Sequence, residues 1–116
     1  LSAGYYDAYY RKALRHQASL RQALIDIFSS VDLLVLPTTP DIAPKIGASS
    51  DPMKMKLSDI YTVVANLAGI PAISVPCGLS KGLPISTQLM ASHWREDLLF
   101  AAGNVLENAF GRFHPN

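Results

Sequence analysis

From Tyr5 to Phe28 the apolar positions Tyr6, Tyr10, Ala13, Leu20, Leu24 and Ile27 recur at three- and four-residue steps, while Arg11, Lys12, Arg15 and Arg21 fall off that stripe. Residues so spaced share one side of an α-helix, so the pattern predicts a long amphipathic helix. Leu33-Leu34-Val35-Leu36 is a short continuous apolar run closed by Pro37. It predicts a strand buried on both faces, of the kind that belongs to α/β layers. Pro37, Pro40, Pro44 and Pro52, together with Gly47, Ser49 and Ser50, then predict a long loop in which no regular element persists.

Further along, Ile60, Val63, Val64, Leu67 and Ala68 return to helical spacing, with Ser58 or Asp59 available as N-cap, Gly69 as a left-handed C-terminal residue and Pro71 as the stop. Ala72 to Val75 and Ile85 to Met90 predict two strands, joined through the turn-rich stretch Gly78-Leu79-Ser80-Lys81-Gly82. A last helix is predicted from Arg95 to Phe110, with Glu96 and Asp97 in the first turn, where carboxylates suit the positive end of the helix dipole. Leu98, Ala102, Leu106 and Ala109 would form its buried face. The order helix, strand, helix, strand, strand, helix predicts an α/β layered fold with a small sheet whose edges are exposed.

Composition sharpens this picture. At 116 residues the chain has room for one domain, or one piece of a domain. Its 49% hydrophobic and 16% charged content is apolar for a small free-standing protein, so part of its apolar surface is expected to face something else. The chain opens on Leu1-Ser2-Ala3-Gly4 with neither an initiator methionine nor a targeting pattern, and is expected to be a segment of a longer protein. A net charge of +1 supplies no electrostatic footprint for nucleic acid or an anionic membrane. Apolar runs are broken within about ten residues, short of the ~20 that a membrane span needs. The lone Cys77 excludes an internal disulfide framework, cannot by itself make a structural zinc site, and fits a reducing cytoplasm.

Candidate chemistry is sparse. Amide hydrolysis by a side-chain nucleophile needs a Ser or Cys, a base in hydrogen-bond reach and donors for the oxyanion. Ser74 and Ser86 fall in predicted strands without a glycine-rich elbow, and Cys77 has no neighbouring base in the sequence. His16, His93 and His114 have no metal-ligand spacing. No catalytic and no metal-ligating residue is therefore assigned in this chain. Tyr5, Tyr6, Tyr9 and Tyr10 spread over more than one helix face, which favours packing over base stacking. Asp59 stands apart: a carboxylate at a helix start after a flexible loop is either an N-cap or an anchor for a ligand's ammonium group. The two roles compete, because a carboxylate engaged with backbone N–H groups is less free to receive an amine.

The run Leu1-Ser2-Ala3-Gly4-Tyr5-Tyr6-Asp7-Ala8-Tyr9-Tyr10-Arg11-Lys12-Ala13, the segment Leu36-Pro37-Thr38-Thr39-Pro40, the pair Asp59-Ile60, and Asn66-Leu67-Ala68-Gly69-Ile70-Pro71 followed by Ser74-Val75-Pro76 resemble one family in the right order. They are similar to the carboxy-terminal portion of the A subunits of bacterial aspartyl/glutamyl-tRNA amidotransferases, a branch of the amidase-signature family. The Leu-Ala-Gly-Ile-Pro and Ser-Val-Pro elements are shared across amidase-signature proteins, whereas the tyrosine-rich opening points to the tRNA-dependent branch. The resemblance implies that residues 1–116 are the C-terminal segment of a single amidase domain, an α/β/α layered fold with a mixed sheet flanked by helices, whose catalytic serine/lysine core lies upstream.

It further implies a glutaminase that releases ammonia from glutamine for amidation of Glu-tRNA(Gln) or Asp-tRNA(Asn), working in the cytoplasm with B and C subunits. It implies no cofactor in this chain, ATP and Mg in the B subunit, tRNA contacted only through the complex, and no membrane. In the family the acidic residue of an Asp-Ile-x-Thr segment is associated with the α-amino group of glutamine, and Asp59 of Asp59-Ile60-Tyr61-Thr62 matches it. The chain departs from the family at Ser86-Thr87, where relatives usually carry Gly-Leu, which puts local strand packing in question. A free-standing hydrolase of another amide and a non-catalytic packing module remain the alternative readings.

Overall fold

The computed structural model describes residues 3–48 and 51–112. Helix α1 (Ala3–Phe28) covers the predicted span, but only its second half packs. There Leu24 is buried and Gln17, Leu20 and Phe28 are half-buried, a stripe of three- and four-residue steps that lies against the later helix Val63–Ala68. The tyrosine-bearing first half stays exposed, with the Tyr6 and Tyr10 rings parallel at 6.5 Å.

Strand β1 (Leu33–Pro37) is where predicted, but the expectation of burial on both faces is overturned, because Val35 is 61% exposed. An apolar run specifies a strand without counting the layers that cover it. Here β1 is an edge strand, bonded on one side only, in a three-stranded sheet of order β1-β3-β2, where β2 is Ala72–Ser80 and β3 is Leu83–Ala91. The polar loop that follows leads into a short helix, α2 (Pro52–Ser58), that hydrophobic spacing did not predict. Met53, Met55 and Leu57 are all exposed and form no buried stripe. The helix is started instead by Asp51, whose Oδ1 accepts the Met53 N–H at 3.0 Å, and by Pro52 in its first turn. Ser49, Ser50 and His114 lie outside the described residues.

Helix α3 (Val63–Ala68) is shorter than predicted and begins after Thr62. Its C-terminus is as expected: Gly69 takes a left-handed φ of 69° and its N–H returns to the Ala65 carbonyl. The carbonyls left over at that end are taken by side chains, Leu67 by Gln17 Nε2 (2.8 Å), Ala68 by Arg21 Nε (3.0 Å) and Gly69 by His93 Nδ1 (3.0 Å). Arg21 and His93 thereby close the C-terminal end of α3.

Strands β2 (Ala72–Ser80) and β3 (Leu83–Ala91) make a longer hairpin than predicted, closed by the two-residue turn Lys81-Gly82. Both turn residues have positive φ, 52° and 78°, the geometry that follows the right-handed twist of paired strands. Cys77 is the extra residue of a bulge between Pro76 and Gly78, half-buried, with its Sγ donating to the Ile85 carbonyl at 3.6 Å. Ser86-Thr87 leaves the pairing intact: the Ser86 carbonyl accepts the Thr38 N–H, and Thr87 Oγ1 donates to the Leu36 carbonyl. The three strands pair antiparallel throughout, so the mixed character implied for the sheet is not expressed by these strands.

Helix α4 (Glu96–Phe110) packs on β2 and β3. The buried face is Leu99 and Gly103 with Ala102 and Leu106 beside them, turned by about one residue from the predicted Leu98, Ala102, Leu106, Ala109 stripe. The reason is that Phe100, Val105 and Phe110 make the helix apolar nearly all round, so pattern alone does not select the side that docks. The core is Val75, Leu89, Ala91 and Leu99. Strand alternation sends Gln88 and Met90 to the opposite face, where Gln88 reaches the segment leading into α3. Helices therefore flank both faces, an α/β layer as expected. The layer is thin, 53 × 41 × 16 Å, with a Cα radius of gyration of 17.4 Å against about 13 Å for a compact chain of this length. Ile25, Val35, Phe100 and Val105 stand exposed on it, in keeping with the apolar composition. No helix among the described residues is long and apolar enough to cross a membrane.

Candidate functional site

Asp59 sits between two short helices, and its backbone explains why. Proline at the start and the acidic cap at Asp51 launch α2, which ends at Ser58; the chain then turns through residues 59–62 before α3. The turn is closed by the Asp59 carbonyl, which accepts the N–H groups of Thr62 (3.1 Å) and Val63 (3.0 Å) and the Thr62 hydroxyl at 3.3 Å. Asp59 is the C-cap of α2, and Thr62 occupies the N-cap of α3 without a side-chain bond to the N–H groups of that helix. The capping role expected of Asp59, and of Ser58, is thus corrected: the backbone of Asp59 shapes the turn, while its side chain caps nothing.

The carboxylate is thereby left open. Its neighbour is Ser58 Oγ at 3.4 Å, and that hydroxyl is committed more closely to the Met55 carbonyl at 2.6 Å. Asp59 is exposed on the wall of an open groove of about 600 Å³ that it shares with Ser58, Met55, Lys56, Lys45 and Ile46. Neither lysine forms an ion pair with it among the described residues. A carboxylate with free lone pairs at the mouth of a groove can accept N–H donors from an ammonium group, the chemistry the sequence held open for it.

Next to this turn, Gln88 on the central strand β3 is buried to 4% exposure and donates from Nε2 to the Tyr61 carbonyl at 3.1 Å. The sequence places Gln88 in the predicted strand Ile85–Met90 but assigns it no role of its own, because nothing local to the strand marks the contact with Tyr61. On the same sheet face Thr38 and Ser74 share a hydrogen bond between their hydroxyls, 2.9 Å. Ser74 is a strand residue, as read from sequence, and its bonded partner is another hydroxyl rather than a base.

Among the described residues no cluster of three or more His, Cys, Asp or Glu side chains could hold a metal. The one ion pair of close geometry among them lies away from the groove: Arg95 binds Asp97 through two contacts, 2.9 and 3.0 Å, which lower the carboxyl below its ordinary range and raise the guanidinium. The arrangement offers one open carboxylate, a hydroxyl pair and a backbone turn held from the sheet, a set suited to binding a polar ligand.

The amidase family model matches residues 1–100 of the chain. The chain is 51% identical over 115 residues to the A subunit of the glutamyl-tRNA(Gln) amidotransferase of Lachnospira eligens, covering 97% of this chain and 24% of that protein. It is 50% identical over 119 residues to the corresponding protein of Trichodesmium erythraeum, covering 99% of this chain and 24% of that one. Among solved structures, the A subunit of the glutamyl-tRNA(Gln) amidotransferase of Thermotoga maritima superposes with a TM-score of 0.74 at 41% identity, over 90% of this chain and 22% of that one. A 6-aminohexanoate cyclic dimer hydrolase superposes at 0.78 with 26% identity, over all of this chain and 27% of that one. The chain thus spans about a quarter of the length of the relatives it matches, and across that length its residues and its layered α/β fold are those of the amidase family, to which it belongs.

Proposed function

We propose that residues 1–116 form the carboxy-terminal part of a single amidase domain in the glutamine-hydrolysing A subunit of a tRNA-dependent amidotransferase. In this reading the full-length protein is a glutaminase that releases ammonia from glutamine, in the cytoplasm, for amidation of Glu-tRNA(Gln) or Asp-tRNA(Asn). The observation that carries it is the contrast in identity, 51% to a glutamyl-tRNA(Gln) amidotransferase component against 26% to a hydrolase of nearly the same backbone. Shared fold does not choose between these activities; side chains do.

Asp59 supplies the matching chemistry. Glutamine differs from most simple amides by its α-ammonium group, and an uncommitted carboxylate is what binds such a cation selectively. The nucleophile and its base would come from segments outside this chain, B and C subunits would complete the complex, and ATP with Mg would belong to the B subunit. The 116-residue chain alone is accordingly expected to release no ammonia above a heat-killed control.

The test is ammonia release from glutamine, asparagine and a hydrophobic amide by the full-length parent, with and without its partner subunits, for wild type and Asp59→Ala. Loss of one ammonium–carboxylate contact, about 1.5–3 kcal/mol, predicts a fall in kcat/KM for glutamine of about ten- to a hundredfold, carried by KM. Partner-independent turnover of other amides, indifferent to Asp59, would replace this reading with that of a free-standing hydrolase.

A further inference from the structure

Gln88 occupies a position where an apolar residue would be cheaper to bury. Its strand neighbours Leu89 and Met90 are each 1% exposed, and Gln88 itself is the buried polar side chain of the described residues. A buried amide costs free energy unless it is bonded, so its bond from Nε2 to the Tyr61 carbonyl sets what the residue does. β3 is held on both sides, with Gln88 opposite Leu36 of β1 and Ser74 of β2, so the donor projects from the most constrained strand of the sheet. The acceptor lies inside the turn 59–62, two residues from Asp59 and within the loop that the Asp59 carbonyl closes onto Thr62 and Val63. That turn joins a seven-residue helix without buried residues to a six-residue one, and α2 on its own cannot fix where Asp59 stands.

We infer that Gln88 is a positioning residue that ties the Asp59 turn to the sheet and so sets the placement of the Asp59 carboxylate for the ammonium group of an amino-acid amide. The inference rests on the reading of Asp59 under the proposed function and goes beyond it, because Gln88 reaches the ligand only through the backbone. A misplaced carboxylate weakens binding of the ammonium group while leaving the reacting amide unaffected.

The experiment uses the full-length protein in complex with its partner subunits and two substrates, glutamine and glutaramate, which is glutamine without its α-amino group. Gln88→Leu should raise KM for glutamine about tenfold with kcat within about twofold, and leave kcat/KM for glutaramate at its wild-type value. In the Asp59→Ala background it should add little, since both changes disable the same contact. Gln88→Glu covers the case in which the leucine variant fails to assemble. Its protonated carboxyl can donate to the Tyr61 carbonyl and its ionised form cannot, so its KM defect relative to wild type should grow as pH rises through that carboxyl's pKa.

Equal losses on glutamine and glutaramate, full additivity with Asp59→Ala, or a pH-independent Gln88→Glu defect would show a merely structural residue and overturn the inference. Wild-type KM in the Gln88 variants beside a raised KM in Asp59→Ala would overturn it while leaving the proposed function standing. A wild-type complex that does not turn over glutamine would overturn both.

Discussion

Gly103 lies on the buried face of α4, and a methyl group built on it would meet Val75 Cγ2 at 3.6 Å and Ile73 Cδ1 at 3.7 Å. Both are ordinary van der Waals distances, so Gly103→Ala fills space against β2 without moving it. Replacing glycine by alanine inside a helix contributes about 1 kcal/mol through the reduced freedom of the unfolded chain. Burying one further carbon adds up to about 0.8 kcal/mol. The sum, about 1–2 kcal/mol, is read in equilibrium urea unfolding of the chain followed by helical circular dichroism. With a denaturant slope of about 1–3 kcal/mol per molar, the midpoint should rise by roughly 0.3–2 M at unchanged slope. Gly103→Leu is the comparison: carbons beyond Cβ must displace Val75 and Ile73 or turn into the groove that these residues share with Phe100 and Glu107, so it should gain less than Gly103→Ala. A lowered midpoint for Gly103→Ala, or equal behaviour of the two variants, would refute the packing of α4 on β2.

Gly69→Ala should destabilise by about 1–2 kcal/mol in the same assay, because an L-residue is strained in the left-handed region and its Cβ would lie 3.3 Å from Arg21 Nη2. Gly69→Asn should lose less, and equal losses would count against the backbone argument. Asp97 is held below the ordinary carboxylate range by its hydrogen bond from Arg95, so the native state binds its proton less readily than the unfolded state does. The pair's contribution is therefore present above the unfolded carboxyl pKa and is lost as pH falls through the lowered native value. Wild type should exceed Asp97→Asn in stability at neutral pH, and the two should converge in acid and at high salt, since both groups are exposed. A difference indifferent to pH and salt would sink that account.

The candidate site was legible only in part. Asp59 was marked by its matching segment, Asp59-Ile60-Tyr61-Thr62, but local spacing assigned it to the wrong helix end. α2 escaped notice because a helix that buries nothing leaves no hydrophobic period, and without α2 the residues ahead of Val63 read as the start of α3. The role of Gln88 was not legible for the converse reason: its strand could be read locally, but its partner Tyr61 lies 27 residues away in sequence, which no pattern around Ser86-Thr87-Gln88 encodes.

What the sequence determined by itself was the set of elements whose cause is local. Side-chain period specified α1, α4 and the strands, left-handed glycine ended α3 at Gly69, and Pro37 with Pro52 bounded the loop, because each depends on backbone sterics or on neighbours within a few residues. Tertiary structure decided which apolar faces are covered. Val35 is exposed because β1 ended at the sheet edge, α4 docks through Leu99 and Gly103 because the hairpin presents Ile73 and Val75 there, and the Asp59 carboxylate is open because the chain turned between two helices instead of entering one. Burial is a relation between segments distant along the chain, so a single run of residues can specify its own conformation and still leave undetermined what lies on either side of it.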